Sequence, residues 1–96
     1  MKLSNLLANI EYTVINDGNP EITDIIYDSR KVTDGTAFVC LKGYTSDGHK
    51  YAQSAVEKGA AALIISDDLS FDVPKNVAVI KVENTRKALA YISAEF

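Results

Sequence analysis

Three short apolar runs in the second half of the chain most constrain its fold. They cover Ala37 to Leu41, Ala60 to Ile65 and Val77 to Val82, and none of them alternates strictly between apolar and polar residues. Runs of this kind are typical of strands that are buried on both faces of a parallel sheet. Because parallel strands need long connections, which are usually helical, the pattern predicts an α/β fold.

The segment between the first two runs has the features of such a helical connection. Asp47 is its candidate N-cap. One apolar helix face is formed by Tyr51, Ala52, Ala55 and Val56. Lys58 lies in the last turn and Gly59 follows it, which is a typical helix stop with a left-handed glycine. The stretch from Phe38 to Ile65 is therefore predicted to be a βαβ unit with a right-handed crossover.

The first half of the chain predicts one helix and two strands. The helix is short and amphipathic, with Ser4 as its predicted cap. Its apolar face consists of Leu3, Leu6, Leu7 and Ile10. The two strands are predicted at Tyr12 to Ile15 and at Glu21 to Tyr27, separated by a cluster of turn-forming residues.

A last helix is predicted over about residues 84 to 96, capped by Asn84 or Thr85. It carries apolar residues at helical spacing, namely Leu89, Ile92 and Phe96. Since no helix stop follows Phe96, we expect this helix to lead toward a further domain. The predicted fold is thus α/β, a small and partly parallel sheet with a βαβ unit and flanking helices.

Composition and charge exclude several classes of protein. The 96 residues include 10 basic and 13 acidic residues, which gives a formal net charge of −3. Surfaces that bind nucleic acid or anionic membranes need clustered Lys and Arg, so we expect neither partner. No apolar run approaches the roughly 20 residues of a spanning helix, and no signal-peptide pattern opens the chain. The single cysteine, Cys40, is expected to be a buried thiol in a soluble, cytoplasmic protein.

Two polar segments follow neighbouring predicted strands and are candidate binding sites. Asp28-Ser29-Arg30 is either an ordinary turn or a site where the Ser29 hydroxyl binds a polar ligand and Arg30 pairs with an anion. Gly43 to Gly48 is either an ordinary βα loop or a ligand loop. In the second case backbone donors and the Thr45 and Ser46 hydroxyls would lie at a helix start, where the dipole favours an anion. Ligands of open α/β sheets usually bind at such strand ends.

The only histidine, His49, lies in the first turn of the predicted helix. No Cys or His partner stands at metal-ligand spacing, and no nucleophile is convincingly paired with it. We therefore expect a structural, hydrogen-bonding role for His49. The chain also lacks the G-x-x-x-x-G-K-[ST] and G-x-G-x-x-G phosphate-binding motifs. The residues thus predict no catalytic group, no metal site and no cofactor in this chain, and no ATP turnover by it alone.

Residues spread over nearly the whole chain form an ordered set with definite spacings. The set comprises Lys2 to Leu7, Asp28-Ser29-Arg30, Val32, Gly35, Phe38-Val39, Lys42-Gly43, Asp47-Gly48-His49, Tyr51, Ala55 and Gly59-Ala60-Ala61. In this order it resembles the N-terminal domain of the Mur ligases. Within the family it is most similar to the members that add the third peptide residue. The sister ligases that add the terminal dipeptide typically carry Glu-Arg-Phe-Asp where this chain has Tyr44-Thr45-Ser46-Asp47.

The resemblance implies that residues 1–96 bind the UDP end of a UDP-N-acetylmuramoyl-dipeptide. The full-length protein would be an ATP-dependent cytoplasmic ligase of peptidoglycan synthesis that adds the third amino acid to UDP-N-acetylmuramoyl-L-alanyl-D-glutamate. Central and C-terminal domains of the same chain would hold ATP and Mg²⁺ and recruit the amino acid, so this sequence does not specify which amino acid is added. By position, the family's UDP-contacting residues fall on Tyr27, Ser29, Tyr44, Thr45 and Ser46.

Two alternatives to this function stay open at the level of the sequence. One is the N-terminal domain of the sister ligase that adds the terminal dipeptide. The other is a non-enzymatic module that binds a nucleotide or a protein partner through its polar loop.

Overall fold

A single mixed β-sheet forms the centre of the protein. A computed structural model describes residues 1–43 and 46–96. Its strands are β1 (Thr13–Asn16), β2 (Ile25–Ile26), β3 (Ala37–Val39), β4 (Ala62–Ile65) and β5 (Ala78–Lys81). They lie in the order β1-β5-β4-β3-β2. The last four strands of the chain run parallel to one another, while β1 pairs antiparallel with β5, so the predicted partly parallel sheet is confirmed.

Helices cover both faces of the sheet. They are α1 (Leu3–Leu6), α2 (Ala52–Glu57), α3 (Thr85–Glu95) and two 3₁₀ helices at Ser29–Lys31 and Gly48–Tyr51. The second 3₁₀ helix runs directly into α2, which connects β3 to its parallel neighbour β4. The predicted βαβ unit is therefore confirmed. No helix in the described ranges is long and apolar enough to cross a membrane.

Three of the predicted helix boundaries are confirmed, two by hydrogen bonds and one by the backbone conformation of a glycine. The Asp47 carboxylate accepts a hydrogen bond from the His49 N–H and caps the 3₁₀ helix that precedes α2. Gly59 follows α2 with a φ of +105°, in the left-handed region that favours glycine. The Asn84 side chain accepts from the Lys87 N–H at the start of α3.

The core lies on both sides of the three central strands, because alternate residues of each strand face opposite helices. One layer packs against α1 and α3 and includes Leu3, Leu6, Val39, Ile64, Ile80 and Ile92. The other packs against α2 and includes Phe38, Cys40, Ala52, Ala55, Leu63 and Val79. Each large side chain buried in this way stabilises the fold by about 1.5–3 kcal/mol, which compensates for the shortness of the strands. Burial also raises the pKa of the Cys40 thiol to about 12, and the predicted buried thiol is confirmed.

The N-terminal helix begins differently from the prediction. Ser4 was expected to be its cap, but α1 starts after Lys2 and Ser4 lies inside it. The Ser4 N–H instead donates to Asn19 Oδ1 at 2.8 Å. Because this acceptor comes from a turn 15 residues away, the local sequence around Ser4 does not reveal it.

The second strand is much shorter than predicted. Glu21 to Tyr27 was expected to form it, but only Ile25 and Ile26 do so. The N–H of Ile22 donates to the carbonyl of Met1 and that of Thr23 to the carbonyl of Gly35. These donors are therefore engaged outside the sheet ladder, although the segment stays hydrogen-bonded.

The last helix buries a different set of residues from the predicted one. Its buried residues are Thr85, Ala88 and Ile92, while Leu89 packs at the edge of the core. Phe96, which was predicted to lie on the apolar face, is 49% exposed and follows the last residue of α3.

Candidate functional site

The two candidate segments leave the sheet side by side. Ile25 pairs with Ala37 and Ile26 with Phe38 in the parallel ladder between β2 and β3. The carboxyl ends of these two strands therefore meet at one edge of the sheet. Tyr27 to Ser29 follows β2 directly, and the loop after β3 starts at this same edge.

The predicted site residues differ in exposure. Tyr27 is 61% exposed and stands directly after β2. Ser29 is half-buried at the start of the first 3₁₀ helix, and Ser46 is exposed just before Asp47. Tyr44 and Thr45 lie outside the described residues, so the predictions made for these two concern a part of the loop that the structure does not describe.

Asp28 and Arg30 fix the backbone around Ser29. Asp28 Oδ1 accepts hydrogen bonds from the Arg30 N–H and from Arg30 Nε, both at 3.0 Å, and Oδ2 accepts from a terminal guanidinium nitrogen at 2.8 Å. The side-chain hydrogen bond from Arg30 is the main reason why the pKa of Asp28 falls to about 2. Since the Arg30 guanidinium is already paired, an anionic ligand would have to compete with Asp28 for it.

Ser29 is also tied to the helix that follows β3. The Lys58 ammonium, at the end of α2, donates to the Ser29 carbonyl at 3.0 Å. The hydrogen bonds that Ser29 makes with other described residues use this carbonyl, and not the hydroxyl. Within residues 1–43 and 46–96, no hydrogen bond occupies the Ser29 hydroxyl.

The two ends of the loop after β3 are held together. Lys42 and Asp47 form an antiparallel bridge, and the Gly43 N–H donates to the Ser46 carbonyl at 2.8 Å. The Gly48 N–H then donates to the Leu41 carbonyl at 2.6 Å. A Cβ on Gly48 would lie 2.7 Å from the Leu41 nitrogen, so this close approach requires glycine.

His49 connects this loop to the turn after β4. Its Nδ1 lies 2.6 Å from Asp47 Oδ1, while Nε2 accepts hydrogen bonds from the N–H groups of Ser66 and Asp67 at 3.0 and 3.1 Å. The side chain is only 8% exposed. The hydrogen-bonding role predicted for His49 is therefore confirmed. The hydrogen bond from the His49 N–H also lowers the pKa of Asp47.

The backbone donors at the start of the helix already have acceptors. The N–H groups of Gly48, His49 and Lys50 donate to Leu41, to the Asp47 carboxylate and to the Asp47 carbonyl, respectively. The donors of the first turn are therefore engaged, and a carboxylate already lies where an anion would bind. Any backbone donors for a ligand must come from the loop itself.

A cluster of Asp47, His49 and Asp67 brings three possible metal ligands within 4.8 Å of one another. The cluster does not fit a metal ion, because both imidazole nitrogens already make hydrogen bonds. Asp67 is in addition paired with the Lys42 ammonium at 2.5 Å. The partner of Asp67 comes from the loop after β3, 25 residues earlier in the chain, so no local pattern could reveal the pair.

Comparisons with known proteins agree with this architecture. The profile described as "Mur ligase family, catalytic domain" matches residues 21–96. Proteins named UDP-N-acetylmuramoyl-L-alanyl-D-glutamate--2,6-diaminopimelate ligase from Clostridium botulinum and Bacillus licheniformis are 43% and 46% identical to this chain over its whole length. The chain spans 20% and 19% of these two relatives, or about a fifth of their length.

Solved structures with the same fold belong to related ligases. One is the UDP-N-acetylmuramoylalanyl-D-glutamyl-2,6-diaminopimelate--D-alanyl-D-alanyl ligase from Acinetobacter baumannii, with a TM-score of 0.76 and 26% identity over 96% of this chain and 20% of that chain. Another is the MurF ligase from Thermotoga maritima in complex with ADP, with a TM-score of 0.64 and 28% identity over 75% of this chain and 16% of that chain. The fold, the profile match and these likenesses confirm the resemblance to the N-terminal domain of these enzymes, and the chain belongs to the Mur ligase family.

Proposed function

We propose that this chain is the UDP-binding N-terminal domain of an ATP-dependent ligase of peptidoglycan synthesis. The ligase would add an amino acid to UDP-N-acetylmuramoyl-L-alanyl-D-glutamate in the cytoplasm. The names of the relatives that are 43–46% identical to this chain favour 2,6-diaminopimelate as that amino acid. The observation that carries the proposal is the parallel pairing of β2 with β3, which brings two polar segments to one edge of the sheet.

The uridine end of the substrate would bind between Tyr27 to Ser29 and the loop residues Tyr44, Thr45 and Ser46. The exposed Tyr27 ring offers an apolar face on which a base can stack. The Ser29 hydroxyl can both donate and accept a hydrogen bond, which suits the polar atoms of uracil and ribose. Because the donors at the start of the helix are engaged, we expect this chain to bind the nucleoside more strongly than the diphosphate.

ATP and Mg²⁺ would be held by another domain of the full-length protein. This chain carries no phosphate-loop motif. Mg²⁺ needs an octahedral set of oxygen ligands, and the cluster at Asp47 does not supply one because its histidine nitrogens and Asp67 are engaged. The contribution of this chain would therefore be to bind and orient one end of the substrate.

The sister ligase that adds the terminal dipeptide is the second candidate. The solved structures that share this fold carry names of that enzyme. Their identity to this chain is 26–28%, however, while that of the diaminopimelate ligases is 43–46%. The higher identity favours the enzyme that acts on the dipeptide substrate.

A two-dimensional NMR titration of the chain with UDP tests the proposed site. We expect the amide resonances of Tyr27 to Ser29 and of residues 43–47 to shift. Ser29→Ala should weaken UDP binding about 2- to 10-fold, since a lost hydrogen bond typically costs about 0.5–1.5 kcal/mol, and should leave the melting temperature nearly unchanged.

Ser70→Ala is the matched control, because Ser70 is exposed in the connection between β4 and β5. This variant should bind UDP like the wild type. Shifts confined to the region between α1 and α3 would show that the site assignment is wrong.

A further inference from the structure

We propose that His49 is a positioning residue that holds the described ends of the loop after β3, residues 42–43 and 46–47, in place for the ligand by joining them to the turn after β4. The inference rests on the proposed function, since the loop in question is the one assigned to uridine. It does not make His49 a contact of the ligand. His49 would act through Asp47 on one side and through the backbone of Ser66 and Asp67 on the other.

The hydrogen bonds assign the proton of the imidazole. Nε2 accepts from two backbone N–H groups, those of Ser66 and Asp67, so it carries no proton itself. Nδ1 therefore carries the proton and donates it to the Asp47 carboxylate at 2.6 Å. In this neutral form every polar atom of the ring is engaged, which leaves none for proton transfer or metal binding.

The loop ends and the turn after β4 form a closed circuit of contacts. Lys42 and Asp47 are bridged through their backbones, His49 links Asp47 to Asp67, and the Asp67 carboxylate pairs with the Lys42 ammonium at 2.5 Å. Only part of this circuit is shielded from water. The Lys42 and Asp67 side chains are 54% and 44% exposed, whereas His49 is 8% exposed.

This difference in exposure indicates whether the Lys42–Asp67 ion pair or the His49 hydrogen bonds restrain the loop more strongly. Exposed ion pairs such as that of Lys42 with Asp67 contribute little and are screened by salt. Buried hydrogen bonds are stronger, and leaving one of their partners unsatisfied is costly. Without the imidazole, the N–H groups of Ser66 and Asp67 would lose their hydrogen-bond acceptor. We therefore infer that His49, more than the ion pair, keeps the loop in place.

Two conservative variants separate the two halves of this role. His49→Gln retains an acceptor near the position of Nε2 but loses the donor to Asp47. His49→Asn retains a donor near the position of Nδ1 but loses the acceptor for Ser66 and Asp67. Gln53→Ala, an exposed substitution in α2, is the matched control.

We expect the folded His49→Asn variant to bind UDP about 5- to 10-fold more weakly than the wild type at 25 °C. Hydrogen exchange at the Ser66 and Asp67 amides should be faster in this variant. His49→Gln should retain most of the affinity and of the protection, and Gln53→Ala should retain both. Equal UDP affinity in wild type and His49→Asn, with the folded fraction taken into account, would overturn the inference.

A measurement on the wild type keeps the inference testable if His49→Asn does not fold. Correlation of the imidazole ¹H and ¹⁵N resonances near neutral pH should show a ring protonated at Nδ1 and unprotonated at Nε2. A ring protonated at Nε2 would overturn the inference, because Nε2 could not then accept from Ser66 and Asp67.

Failure of the proposed function has a different signature. If UDP shifts no resonance of the wild type, the uridine site is wrong. The role of His49 is then tested by the resonances of the loop in the two variants without UDP. Altered Gly43 and Ser46 resonances in His49→Asn, but not in His49→Gln, would then support positioning of the loop. Unchanged loop resonances in both variants would refute it.

Discussion

Asp28 and Arg30, which are two positions apart in the chain, fix the backbone beside the proposed uridine site through their mutual hydrogen bonds. The Asp28 carboxylate accepts from both the backbone and the side chain of Arg30. This arrangement presents the Ser29 hydroxyl from a short, fixed turn. The Arg30 guanidinium is also paired with the Asp28 carboxylate. We therefore expect the segment to bind polar groups better than strongly anionic ones.

The pair with Arg30 should give Asp28 an unusual titration. The pKa of Asp28 is lowered from 3.8 to about 2 in the folded protein. The stabilisation from the pair is therefore fully present above pH 3.8 and is lost as the pH falls through about 2. A ¹³C NMR titration of the side-chain carboxyl should show a midpoint near 2. In Arg30→Ala the midpoint should rise toward 3.8, and a wild-type midpoint near 3.8 would contradict the pairing.

Local contacts of single residues could be predicted from the sequence, and distant ones could not. Asp47 as a helix cap and a hydrogen-bonding role for His49 both follow from their neighbours in the chain. The residues that complete the network follow other strands: Ser66 and Asp67 lie in the turn after β4, and Lys42 lies in the loop after β3. Only the parallel order of β3 and β4 brings them to His49.

At the scale of elements, the end of α2 is a tightly constrained junction. The carbonyl of Gly59 accepts a hydrogen bond from the Gly35 N–H at 2.9 Å, and Gly59 itself has a φ of +105°. A Cβ at this position would lie 2.0 Å from Asp34 Oδ1 and 2.9 Å from Asp34 Cα. Gly59 is therefore required both by its backbone conformation and by the approach of the turn before β3.

Gly59→Val should destabilise the fold. The left-handed conformation costs a side-chain-bearing residue about 1–2 kcal/mol, and the displacement of Asp34 adds to this. For a domain of this size the melting temperature should fall by about 5–15 °C. Glu57→Val is the matched control, because it introduces the same side chain at an exposed helical position and should cost less than about 1 kcal/mol. Equal melting temperatures for the two variants would show that the steric argument is wrong.

The elements that could be predicted are those whose pattern is contained in their own residues. The βαβ unit follows from apolar runs, a cap and a glycine stop, all of which are local. The shortened β2 and the cap of α1 depend on Met1, Gly35 and Asn19, which come from elsewhere in the chain. The pairing of β1 with β5 has no local pattern at all.

At the scale of the whole molecule, the proposal assigns UDP binding to this chain and ATP binding to another domain. It therefore predicts that this chain alone has no ligase activity. The purified chain should bind UDP but neither hydrolyse ATP nor form amide bonds, because it has no phosphate loop. The full-length protein should join diaminopimelate to UDP-N-acetylmuramoyl-L-alanyl-D-glutamate when ATP and Mg²⁺ are present. Product analysis by mass spectrometry checks both statements. ATP turnover by the fragment above contaminant level would refute the first, and a preference for the tripeptide substrate with D-alanyl-D-alanine would indicate the sister ligase.

The antiparallel pairing of β1 with β5 also determines when the protein can fold. Thr13 pairs with Lys81, so the partner of the first strand leaves the ribosome about 65 residues after that strand. At typical rates of 5–20 residues per second, β1 of the nascent chain stays without its sheet partner for about 3–13 s. The Asn9 side chain likewise reaches its partner only when Glu95 has been made. Such contacts between distant parts of the chain raise the contact order and slow folding, so we expect the domain to complete its fold only after nearly all of its residues have been translated.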